Sequence, residues 1–75
     1  MKMDELVEEW KEEDEELRRL RRENADWEYI EKLPERVKAA ILLYIDTGDL
    51  WRSAKLAGMK VEEFNELRIK AGILW

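Results

Sequence analysis

Side chains suited to covalent chemistry are nearly missing from this sequence. It has no His and no Cys, which excludes imidazole acid–base catalysis, thiol nucleophiles, disulfides and zinc sites. Ser53 and Thr47 are the only hydroxyls besides tyrosine, and neither has a base to activate it. Gly48, Gly58 and Gly72 are too sparse for a phosphate-cradling loop. Asp46 and Asp49 have no third carboxylate nearby, so helix capping, not metal ligation, is the reading for that pair. These residues predict a protein that is not an enzyme and takes no cofactor or metal.

Binding chemistry remains. Arg52, Lys55, Lys60, Arg68 and Lys70 can neutralise phosphates, and Asn65 can pair with adenine, so these six are the candidate DNA contacts. Glu62, Glu63 and Glu66 share the same stretch and would face a polyanion. Glu can also accept from cytosine N4, so base readout is not ruled out. The charges leave two functions open, DNA binding or a protein-interaction module that never touches DNA.

With 75 residues the chain makes one small domain, with limited surface to bury. Net charge is −5, unevenly placed: residues 1–33 carry −6 and residues 34–75 carry +1. Residues 1–16 alone carry −7, while Arg18, Arg19, Arg21 and Arg22 cluster just after them. Composition therefore divides the chain near Pro34 into an acidic arm, 1–33, and a second unit, 34–75. The longest apolar run, residues 39–45, is far short of the roughly 20 residues that span a bilayer. With no signal-peptide pattern, the expectation is a soluble cytoplasmic protein. Heavy use of Glu, Lys and Arg with little Asn, Gln or Cys is the hyperthermophile bias.

In the arm, Met3, Leu6, Trp10, Leu17, Leu20 and Trp27 recur at helical intervals. As heptads, Met3, Trp10, Leu17 and Asn24 fall at a, where an Asn can fix register, while Glu13 spoils one d position. Large aromatics on a polar helix are typical interface anchors. The arm thus has three uses: pairing with itself in a homodimer, folding back on the second unit, or awaiting another protein. A break is expected around Asn24–Asp26, followed by a short segment holding Trp27, Tyr29, Ile30 and Leu33.

From Pro34 onward the elements are well punctuated. Pro34 suits a helix start, and Val37, Ala40, Ile41, Tyr44 and Ile45 form one apolar face. Leu42 and Leu43 lie off that face, so this helix needs cover on more than one side, from the fold or from a second chain. Leu6, Trp10, Leu17, Leu20, Trp27, Leu42 and Leu43 are accordingly the candidate protein-interface residues. Gly48 ends the helix and Asp49 caps the next, which runs to Gly58. A third helix runs from Val61 to about Ala71, with Phe64, Leu67, Ala71 and the stem of Arg68 inward. Ala54, Gly58 and Phe64 meet the spacing of a helix-turn-helix. The expected fold is all-α: a long acidic N-terminal helix followed by a three-helix helix-turn-helix domain.

The pattern Leu43-Tyr44, Gly48, Ser53-Ala54-Lys55-Leu56-Ala57-Gly58-Met59, Glu63-Phe64, Leu67 and Gly72-Ile73 resembles a family of small prokaryotic antitoxin-like proteins. Members are often encoded beside PIN-domain ribonuclease toxins. The resemblance covers about residues 36–73. It implies a helix-turn-helix fold, DNA binding with autoregulation, and neutralisation of a nuclease. The family usually continues past its Gly-Ile into a polar tail, whereas Leu74-Trp75 follows here, and its N-terminus is unlike this charged arm. Toxin binding is then expected to have moved to residues 1–33, or to be absent.

Overall fold

Glycines and short polar side chains cut the chain into helices. The structure, a computed structural model, describes residues 15–74. Over that span it is helical, with no strand: α1 over residues 15–24, α2 Trp27–Glu31, α3 Glu35–Thr47, α4 Leu50–Ala57 and α5 Val61–Lys70. The all-α expectation holds for these residues. Residues 1–14, with the expected first turns of the acidic helix and the interface candidates Leu6 and Trp10, lie outside the described part.

Each helix end has a local cause. Asn24 Nδ2 donates to the Leu20 carbonyl (2.9 Å) where α1 stops, and Asp26 Oδ1 accepts from the Tyr29 amide (3.1 Å) where α2 starts. Pro34 stands one residue before α3 and leaves no amide unsatisfied there; its carbonyl accepts from the Lys38 amide (2.8 Å). Asp49 Oδ1 accepts from the Arg52 amide (3.0 Å) and caps α4. At the other end of α4 the Met59 amide bonds to the Ala54 carbonyl (3.0 Å) and the Gly58 amide to Lys55 (3.1 Å). That doubly bonded ending requires a left-handed residue, supplied by Gly58 with φ 71°.

The core is made of a few large side chains and many alanines. Ile30, Ile41, Phe64 and Ile73 are fully buried, with Ala40, Ala54, Ala57 and Ala71 beside them. Small residues let α3 pack on α4, and α4 on α5, at close range. Tyr44 and Phe64 meet edge to face, with ring centroids 6.0 Å apart. Ser53 is buried with them, and its hydroxyl has no hydrogen-bond partner among the described residues.

Packing crosses Pro34. Ala25 and Ile30 belong to the same core as Ile41 and Phe64, although composition divides the chain between them. The α1–α2 junction is clasped to the end of α5, the Asp26 amide donating to the Ala71 carbonyl (2.7 Å). Beside that bond, a Cβ on Gly72 would stand 2.6 Å from the Asn24 carbonyl oxygen, so only glycine permits the approach. In the described part of the arm, residues 15–33, Ala25 and Ile30 pack on the second unit.

Arginines seal three helix C-termini, where unpaired carbonyls and the helix dipole favour a cation. Arg21, only 6% exposed, donates through Nε to the Ile45 carbonyl (2.9 Å) near the end of α3. Arg18 donates to the next carbonyl, Asp46 (2.9 Å). Arg36 donates to Leu56 (2.7 Å) at the end of α4, and Arg68 to Ile73 (2.9 Å) beyond α5.

Candidate nucleic-acid interface

The six candidate DNA contacts do not share one place. Arg52 and Lys55 project from the outer face of α4, opposite the buried Ser53, Ala54 and Ala57. Lys60 stands at the N-cap of α5, where the sequence put it. With φ −69° and ψ 152° it is extended, and no side chain caps the helix there. These three cations line one open groove of about 500 Å³ between α4 and α5. Trp51, Met59 and Val61 supply its apolar lining, and among the described residues no carboxylate lines it. Arg52 comes within 3.9 Å of Asp49, but both side chains are well exposed, and such a pair holds a guanidinium only weakly.

The other three candidates are placed differently. Arg68 is turned inward: its Nε donates to Asn65 Oδ1 (2.8 Å), and its guanidinium carbon lies 5.5 Å from the Tyr44 ring centroid. That same bond occupies the Asn65 amide oxygen, one of the two groups needed for a bidentate contact to adenine. Lys70 is exposed in the last turn of α5, at the far end of that helix from Lys60. Between them α5 presents Glu62, Glu63 and Glu66 to solvent, with Ile69 47% exposed.

Sequence reading missed Trp51 as a site residue. It is 74% exposed, more than any other large hydrophobic side chain among the described residues. Helical periodicity carried the signal, because Trp51 and Lys55 are one turn apart and both exposed on α4.

The candidate interface residues of the arm and α3 are scattered through the structure. Leu17, Trp27 and Leu42 are each about two-fifths exposed, and Leu20 and Leu43 are half-buried. The Trp27 indole N–H donates to the Arg22 carbonyl (3.1 Å), fixing the ring along the end of α1. A second hollow, about 300 Å³, lies between Leu17 and Gly48, but Arg18 and Arg21 fill its chemistry by sealing α3. No helix among the described residues is long and apolar enough to cross a membrane. Among them no three metal-ligating side chains converge.

No protein-family model, curated protein or solved structure matches this chain.

Proposed function

We propose that this chain is a small antitoxin-like regulator that binds DNA through a helix-turn-helix made of α4 and α5. The observation that carries this reading is the convergence of Arg52, Lys55 and Lys60 on one groove that no carboxylate lines among the described residues. DNA affinity comes largely from neutralised phosphates, and three clustered cations supply that locally on a chain of net charge −5. The acidic N-terminal arm is the surface for a protein partner, a toxin-like nuclease by the family resemblance. The protein acts without a cofactor, in the cytoplasm, as a homodimer that doubles the cationic face. Leu42, an apolar side chain left 42% exposed on α3, is a contact that a second copy would cover.

A gel shift with DNA from upstream of the protein's own gene, at low salt, tests the DNA reading. Binding should weaken steeply as salt rises. Arg52→Ala with Lys55→Ala should weaken binding to all sequences alike, as loss of phosphate contacts does. Sedimentation equilibrium tests the dimer against the 9.1 kDa chain mass.

A second reading, a protein-interaction module with no DNA contact, is favoured by the exposed Glu62, Glu63 and Glu66 on α5. Absence of any shift at low salt would put that reading first.

A further inference from the structure

In duplex reading, α5 would enter the major groove with its outward side chains against base edges. Those side chains include three carboxylates, an Ile, and an Asn whose amide oxygen already accepts from Arg68. A duplex brings two rows of phosphates to that face, which makes the carboxylates costly.

One wall of the groove is different. Trp51 leaves three-quarters of its surface in water although the chain has little apolar surface to spare. Arg52, Lys55 and Lys60 line the same groove, together with the apolar Met59 and Val61. A bare indole flanked by cations is the arrangement on which single strands are held: bases stack on the ring and cations track the phosphates. The volume, about 500 Å³, falls within the range of sites that take a small ligand, roughly 300–1,000 Å³. We propose that Trp51 is a stacking platform for an unpaired base, so that this face binds single-stranded nucleic acid in preference to duplex. The proposal rests on the reading of this face as a nucleic-acid surface and specifies which form of the polymer it takes.

The full chain is titrated into a labelled deoxythymidine oligomer of about 12 nucleotides, and separately into a duplex of mixed sequence, with fluorescence anisotropy at low salt. The oligomer should bind more tightly than the duplex. Trp51→Ala should weaken oligomer binding about 5- to 150-fold, the loss of one stacked base, and Trp51→Phe should recover much of it. Because Trp51 is exposed, neither change should lower the thermal midpoint, and circular dichroism melts check that. Equal oligomer binding by wild type and Trp51→Ala overturns the proposal, as does displacement by poly-glutamate at equal charge. Tight binding to duplex alone overturns the stacking platform and leaves the regulator reading standing. Binding to neither nucleic acid overturns both.

Discussion

Arg21 Nε and the Ile45 carbonyl oxygen are 2.9 Å apart, in a buried bond that joins positions 24 residues apart in sequence. It fixes α1 to the end of α3, and the guanidinium also lies 6.0 Å from the Tyr44 ring centroid. A charged donor on a buried carbonyl is worth more than a neutral one, and removing it strands the acceptor. Arg21→Met keeps most of the stem's volume and deletes the donors. It should destabilise the fold by about 1.5–3 kcal/mol, read as a lower urea midpoint. An unchanged midpoint would mean that water replaces the guanidinium without penalty.

Gly72→Ala should be at least as damaging. The new methyl would meet the Asn24 carbonyl at 2.6 Å, and φ at Gly72 is 82°, in the left-handed region. Strain of about 1–3 kcal/mol is expected before any rearrangement. Thermal melts followed at 222 nm should show the loss, together with faster proteolysis at residues 24–26. A melt equal to wild type would mean that the clasp between Asp26 and Ala71 does not contribute to stability.

Ser53→Ala should stabilise. The hydroxyl is fully buried with no partner among the described residues, and Ala is also the better helix former. A gain of about 0.5–2 kcal/mol in urea unfolding is expected. A loss would reveal a bond that the Ser53 hydroxyl makes in solution.

Lys60→Ser should raise the melting temperature and weaken nucleic-acid binding together. Lys60 occupies the N-cap of α5, where its side chain cannot accept a backbone N–H and its charge meets the positive end of the helix dipole. A Ser there should add about 0.5–2 kcal/mol of stability. It also removes one of the three cations of the groove. Higher stability with unchanged affinity would reduce Lys60 to a poor cap.

A chain beginning at Pro34 should fail to fold cooperatively. It would lack Ile30, which is fully buried, and the clasp at Asp26. A sharp two-state melt of residues 34–75 would show that α3, α4 and α5 suffice.

Local chemistry made the helix boundaries legible. Gly48, Asp49, Gly58 and the Asn24–Asp26 break act within a few residues of themselves, and the structure has them where the sequence put them. The inward positions Ala54 and Phe64 followed from helical spacing for the same reason. The heptad pattern of the arm pointed equally to pairing, fold-back or a partner, because periodicity identifies an apolar stripe and not its cover. Arg21 was read only as one of four clustered arginines, since its partner is in another helix. Arg68 was expected to bury its stem, and it does, but the Asn65 and Ile73 bonds that hold its head depend on tertiary geometry. Composition placed a boundary at Pro34 because charge changes there, whereas apolar packing runs through it.

The clasp between residues 24–26 and 71–73 also has a mechanical meaning. It closes α2, α3, α4 and α5 into a loop whose two ends touch. Force applied between α1 and Ile73 would be shared by this clasp and by the Arg18 and Arg21 bonds that hold α1 to the end of α3. The α4–α5 groove lies inside the loop, off that line of force. These ties lie outside the α4–α5 groove, so strain between α1 and Ile73 should loosen the Asp26–Ala71, Arg18–Asp46 and Arg21–Ile45 bonds before it reshapes the groove.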